Sequence, residues 1–116
     1  MHETSLVIGM LEKITEIAEK ENAKKVLKVK VKIGKLSGVV IDSFKFAFDT
    51  MKREFPFTEN AVLEIVEVPA VYRCFDCGKE FETETAYFPE CPYCKSFNIT
   101  IVSGEELQIV DLEIDV

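Results

Sequence analysis

Apolar residues open the chain at helical spacing. Val7, Leu11, Ile14 and Ala18 recur at i, i+4, i+7 and i+11, with Met10 and Ile17 beside them, while Glu12, Lys13, Glu16, Glu19 and Lys20 take the opposite side. This predicts an amphipathic helix over the first 21 residues, stopping near Asn22. The rhythm then changes to period two. Leu27, Val29, Val31 and Ile33 alternate with Lys28, Lys30 and Lys32, the pattern of a strand with one buried and one wet face. Gly34 to Gly38 reads as a loop. From Asp42, expected as an N-cap, Phe44, Phe48, Met51 and Phe55 return to helical spacing and predict a second helix with an aromatic core stripe, ended by Pro56. A second apolar strand follows from Ala61 to Val68 and closes at Pro69.

Beyond residue 70 the pattern is shorter and more polar. Strand-like segments from Phe81 to Tyr87 and from Phe97 to Val102 flank two cysteine pairs. The last stretch, from Gln108, alternates again: Val110, Leu112, Ile114 and Val116 on one side, Asp111, Glu113 and Asp115 on the other. A lone terminal strand is not stable. Three carboxylates at period two match the three lysines of the first strand, so the C-terminal strand is expected to return beside it, with the charges across from each other on the solvent face. The expected fold is α+β: two helices packed on a small sheet, with a zinc-ribbon-like module inserted before a returning strand. The corresponding boundaries are residues 1–70 plus 104–116 for the first domain and 71–103 for the module.

Charge sharpens this division. The chain of 116 residues carries a formal net charge of −7, yet residues 1–70 hold 11 basic and 11 acidic side chains. The whole imbalance sits in residues 71–116, where Arg73, Lys79 and Lys95 face 10 carboxylates. Nucleic-acid backbones are bound by clustered cations, which this half lacks, so a zinc ribbon that reads nucleic acid or a transcription partner is the weaker alternative. No apolar run approaches the roughly 18 residues of a membrane span, and no charged-then-apolar leader opens the chain. The expected setting is cytoplasmic, without membrane or nucleic-acid partners; monomer and homodimer are both compatible with the sequence.

All four cysteines lie in one 21-residue stretch as Cys74-x2-Cys77 and Cys91-x2-Cys94. Two residues between thiolates let one tight turn aim both sulfurs at the same metal, and Gly78 and Pro92 suit such turns. Disulfides are disfavoured in a reducing compartment, and a thioredoxin-like pair needs a βαβ setting absent here. Four thiolates close a tetrahedral zinc shell, so this site is expected to build structure and not to catalyse. One solitary histidine and a closed metal site also offer no nucleophile and base for an enzyme.

That histidine is His2, between Met1 and Glu3. A bulky second residue keeps the initiator methionine in place. Its α-amine, the His2 backbone nitrogen and the His2 imidazole can then form adjoining five- and six-membered chelate rings on one metal. Nitrogen donors in a plane suit Ni²⁺ or Cu²⁺ over tetrahedral zinc, with Glu3 or a partner's side chain as a further donor. Such a site weakens as pH falls, because its donors must lose protons.

Met1-His2-Glu3 before a helix, Gly34-Lys35-Leu36-Ser37-Gly38-Val39, two Cys-x2-Cys pairs, and Ser103-Gly104-Glu105-Glu106-Leu107 before a final strand closely resemble the hydrogenase nickel-incorporation family HypA/HybF, over essentially the whole length. The resemblance implies a non-enzymatic metallochaperone that supplies Ni²⁺ during [NiFe]-hydrogenase maturation, in some members also for urease. Its implied partners are a HypB-type GTPase and the hydrogenase large subunit. Carried onto this chain, it places nickel on His2 with Met1 and Glu3, and zinc on Cys74, Cys77, Cys91 and Cys94. The chain lacks the further zinc-module histidines of some members.

Overall fold

Helix α1 (Glu3–Lys20) buries Val7, Leu11, Ile14 and Ala18, the four residues whose spacing predicts it. It packs against helix α2 (Ile41–Met51), which buries Phe44, Ala47 and Phe48. The computed structural model describes residues 3–83 and 89–116. Met1 and His2, and positions 84–87 of the strand expected to start at Phe81, lie outside the described residues.

The start and end of α2 differ from expectation. Its ladder begins with the Phe44 N–H donating to the Val40 carbonyl at 2.9 Å, so Val40 is the capping residue and makes no side-chain cap bond. Asp42 lies inside the first turn, a position where the helix dipole favours an acid. At the other end the helix tightens into a 3₁₀ turn, Lys52–Glu54, leaving Phe55 half-buried beyond it. The Lys52 carbonyl at the start of this turn accepts from the Phe55 N–H at 3.4 Å and from the Thr58 hydroxyl at 2.8 Å. The helix therefore stops before Pro56 can break it.

Strand β1 (Lys25–Gly34) lies at the centre of a three-stranded sheet, flanked by β2 (Val62–Val68) and β6 (Leu107–Asp115). The Val26 N–H donates to Phe57 O and the Lys35 N–H to Val68 O, so β2 runs parallel to β1, with α2 as the crossover. The Lys24 N–H donates to Asp115 O and the Gly34 N–H to Glu106 O, so β6 runs antiparallel. The C-terminal strand thus returns to the first sheet as the alternation predicts. Val29, Val31 and Ile33 are buried, and Lys28, Lys30 and Lys32 are half-exposed between them. Leu27 departs from this pattern. Val26 is buried in its place and Leu27 is 38% exposed, because the phase slips by one residue where Val26 bonds to Phe57. On β6, Leu107, Ile109, Leu112 and Ile114 are half-buried while Val110, and Val116 just beyond the strand, are exposed, as befits an edge strand covered on one side.

The lysine row finds a different acid from the one expected. Lys28 and Lys30 both pair with Glu64 on β2, at 2.9 and 3.5 Å. The hydrogen bond and charge of Glu64 raise the Lys28 pKa, with weaker help from Glu113 and Asp111 on β6; Lys28 in turn holds the Glu64 carboxyl below its ordinary value. The β6 acids therefore share the solvent face with Lys28 and act on it through space. The ion pairs belong to the parallel neighbour.

A second three-stranded sheet has β3 (Val71–Cys74) between β4 (Glu80–Glu82) and β5 (Ile99–Ser103), all antiparallel. Tyr72 stands opposite Phe81 on one side and Ile101 on the other, and its ring stacks on Phe81 at 5.7 Å between centroids. Ala70, Tyr72, Cys74, Phe81 and Cys91 form the buried cluster here, with Leu36 and Ile99 packed against it. By contacts the chain divides into two units: Met1–Val31, Val39–Val66 and Gln108–Val116 in one, Lys32–Gly38 and Glu67–Leu107 in the other.

Candidate metal centre

The two cysteine pairs sit on two turns with the same backbone wiring. In the first, the Gly78 N–H donates to Cys74 O at 2.9 Å and the Cys74 N–H to Lys79 O at 2.9 Å. In the second, the Lys95 N–H donates to Cys91 O at 2.9 Å and the Cys91 N–H to Ser96 O at 2.8 Å. The residue after each second cysteine turns left-handed: Gly78 at φ 76° and Lys95 at φ 67°. Glycine takes this conformation without cost, whereas a side chain there costs about 1–2 kcal/mol. Lys95→Gly is accordingly expected to stabilise the second turn by up to ~1 kcal/mol, glycine's extra chain entropy offsetting part of the relief. A thermal melt of the metal-loaded protein checks it, and an unchanged or lower midpoint counts against this account.

This wiring brings four sulfurs together. The Sγ atoms of Cys74, Cys77, Cys91 and Cys94 all lie within 4.8 Å of one another, with Cys74–Cys94 at 3.5 Å and Cys77–Cys91 at 3.6 Å. All four are free thiols. A tetrahedral ion with metal–sulfur bonds near 2.3 Å requires sulfurs roughly 3.8 Å apart, so the cluster fits such an ion with small adjustment. Cys74 and Cys91, the first of each pair, are buried, while Cys77 and Cys94 reach the surface.

The electrostatics of the cluster call for a cation. Burial pushes the Cys91 thiol up, but N–H groups of Cys94 and Tyr93 and the sulfurs of Cys77 and Cys94 pull it down to about 7. The Ser96 N–H favours the Cys94 thiolate, yet the Cys74 sulfur and burial push that thiol up to about 12. For Cys77 the Lys79 N–H acts downward, and burial with the Cys91 and Cys74 sulfurs outweighs it. One thiolate forms readily and then opposes the others. A divalent ion at the centre reverses that opposition and ionises all four, and a soft thiolate set with tetrahedral spacing selects zinc or iron.

Asp76, between the first two ligands, ties the turns together. Its carboxylate accepts from the Ser96 hydroxyl, and Asn98 Nδ2 lies 3.4 Å from its other oxygen. The Asn98 N–H in turn donates to Ser96 Oγ at 3.0 Å, and the Phe75 N–H to Asn98 O at 2.9 Å. Across the same junction the Lys79 ammonium stands 4.7 Å above the Tyr93 ring. The tie among Asp76, Ser96 and Asn98 does not show in the hydrophobic pattern or the cysteine spacing. The available signal was an acid enclosed between two ligands and a hydroxyl two residues after the last.

Among the described residues, the four cysteines are the group arranged to share one ion, and the sequence-predicted zinc ligands come together. Glu3 is the first residue of α1 and half-buried. The model of the family described as "Hydrogenase/urease nickel incorporation, metallochaperone, hypA" matches residues 1–114. The chain belongs to the HypA family. A hydrogenase maturation factor HypA of Geobacter metallireducens is 40% identical over 116 residues, covering 99% of this chain and 100% of the relative. The HypA of Helicobacter hepaticus is 34% identical over 116 residues, covering 100% and 98%. The solution structure of the Ni metallochaperone HypA from Helicobacter pylori superposes with a TM-score of 0.70 at 32% identity, covering 99% of this chain and 98% of that one. The α+β class and the inserted four-cysteine module are thus those of a HypA protein.

Proposed function

We propose that this HypA protein binds Ni²⁺ at its amino terminus and delivers it for maturation of [NiFe]-hydrogenase, while the four cysteines hold a structural Zn²⁺. Nickel sits on His2, with Met1 and Glu3 contributing. The partners are a HypB-type GTPase and the hydrogenase large subunit, and the setting is cytoplasmic. The observation that carries this reading is the family match, which runs from residue 1 to residue 114.

Physical arguments support the two duties. Four thiolates fill a tetrahedral shell and leave no position for substrate, which suits a structural ion and a non-catalytic protein. A cation held on residues 1–3 meets the positive end of α1, a repulsion of about 0.3–1 kcal/mol that favours release. Few donors also let a partner's thiolates take the ion by ligand exchange. Binding to nucleic acid finds little support, because the module's cations are engaged. Arg73 pairs with Glu80, Lys95 lies 3.6 Å from Glu90, and Lys79 stands over Tyr93. Among the described residues no helix is long and apolar enough to cross a membrane.

Nickel calorimetry on the zinc-loaded, untagged chain tests the reading. His2→Ala, and separately a chain extended ahead of Met1, are expected to weaken Ni²⁺ binding by more than about 100-fold, beyond what outer-shell changes cost. Equal affinity in all three proteins would exclude the terminal site.

A further inference from the structure

The four sulfurs are unequal in a way that the metal-holding role does not require. Cys74 and Cys91 are packed in the Tyr72–Phe81 cluster, while Cys77 and Cys94 reach solvent. Each surface sulfur has its short contact with a buried sulfur of the opposite turn: Cys94 with Cys74 at 3.5 Å, Cys77 with Cys91 at 3.6 Å. An oxidant from solvent therefore meets Cys77 or Cys94 first, and each already has a second sulfur of the other turn beside it.

We propose that Cys77 and Cys94 are peroxide-reactive sites, and that their oxidation converts the centre into two disulfides across the turns, Cys74–Cys94 and Cys77–Cys91, with release of the ion. This rests on the reading that the centre holds zinc. In the first step the Cys94 thiolate attacks one peroxide oxygen. A sulfur–oxygen bond forms, the O–O bond breaks, and the departing alkoxide or hydroxide takes a proton; sulfur is oxidised by two electrons and the peroxide is reduced. In the second step the Cys74 thiolate attacks the Cys94 sulfenic sulfur. The S–S bond forms and hydroxide leaves, becoming water with a second proton. Zinc has then lost two of its four ligands. A second peroxide at Cys77, resolved by Cys91, removes the other two, so two peroxides are consumed for each zinc released.

The pairing has a structural consequence. Both new bonds join the first turn to the second, as the ion does. The module is cross-linked in either state, and a thiol reductant with zinc restores the original centre.

The test begins with metal analysis of the purified full chain. A chain that neither carries nor takes up zinc sinks the zinc reading and this proposal with it. The one-zinc protein is then titrated with hydrogen peroxide beside a chromogenic zinc chelator, with dimedone to trap sulfenic acids in a parallel arm, followed by peptide mapping without reduction. Expected are near-complete zinc release at two peroxides per zinc, dimedone adducts on Cys77 and Cys94, and the two cross-turn disulfides. Zinc retained under a large excess of peroxide overturns the proposal while leaving the zinc reading intact. So do adducts confined to Cys74 and Cys91, or disulfides within the pairs (Cys74–Cys77 and Cys91–Cys94).

Discussion

Chelating the ion out of the four-cysteine centre is expected to unfold the unit that contains Glu67–Leu107 and to leave the two-helix unit folded. The buried cluster of the cysteine-bearing unit consists of Ala70, Tyr72, Cys74, Phe81 and Cys91, and two of those five are among the proposed ligands. So small a core does not offset the chain entropy of some forty residues, at roughly 1–2 kcal/mol each for the backbone alone. A structural zinc supplies an apparent 10–16 kcal/mol in small modules, and the proposed ion would contribute on that scale here. The other unit stands on fully buried Val7, Leu11, Ile14, Val29, Val31, Phe44 and Phe48, none of which touches a metal. Amide hydrogen exchange with and without a strong chelator reads both units at once. Protection along β3, β4 and β5 should fall to that of an open chain, while α1 and residues 25–31 of β1 keep theirs. Cys91→Ser should reproduce the pattern without chelator. No loss would show that the core and not the ion holds this unit, and uniform loss would show that the two-helix unit does not stay folded without the ion.

Gly34→Ala should destabilise the protein by at least ~3 kcal/mol, among the largest effects of a single methyl group. A Cβ at residue 34 falls 1.9 Å from the Gly104 carbonyl oxygen and 2.1 Å from its carbon, and backbone cannot rotate aside as a side chain does. Moving the strands apart breaks two bonds of 2.7 Å each, Gly34 N–H to Glu106 O and Leu36 N–H to Gly104 O. It also lifts Leu36 from the cluster it covers. Gly9, in the interior of α1, is the internal control. Nothing lies within 4 Å of its added Cβ, so Gly9→Ala should stabilise by about 1 kcal/mol through helix propensity. Urea denaturation of both variants beside the parent gives the comparison. A Gly34→Ala protein with the parent's midpoint would mean that the approach of residues 34 and 104 is not needed.

Periodicity read the chain well where one face of an element meets one core. The a-and-d-like spacing of α1 and the valines of β1 are such cases, and even the return of β6 beside β1 followed from alternation, though its direction did not. It failed where a neighbour decides the phase. Leu27 lost its inward position to Val26, which is held by a bond to Phe57, and α2 ended at Met51, where a 3₁₀ turn fixed to Thr58 through the Lys52 carbonyl follows. The lysines of β1 found Glu64 because β2 lies parallel to their strand, and strand order is not written in charge spacing. The four cysteines were legible from their spacing. The Asp76–Ser96–Asn98 tie was not, since it depends on how the two turns face each other. The segment 34–38, read as a loop, is an anchor whose bonds to Gly104 and Glu106 bring together two motifs about seventy residues apart in sequence.

The Lys35 N–H donates to Val68 O, and the neighbouring Gly34 N–H donates to Glu106 O. The chain therefore leaves the first sheet on one side of β1 and rejoins it on the other side of the same strand end, about two strand spacings or 9–10 Å away. Insertions and deletions should consequently be tolerated very unevenly along the C-terminal half. Between Cys77 and Cys91 residues can be added or lost without disturbing any pairing of β1. A single residue added between Gly104 and Leu107 would instead turn β6 over, sending Asp111 and Glu113 toward the helices and Leu112 and Ile114 into water.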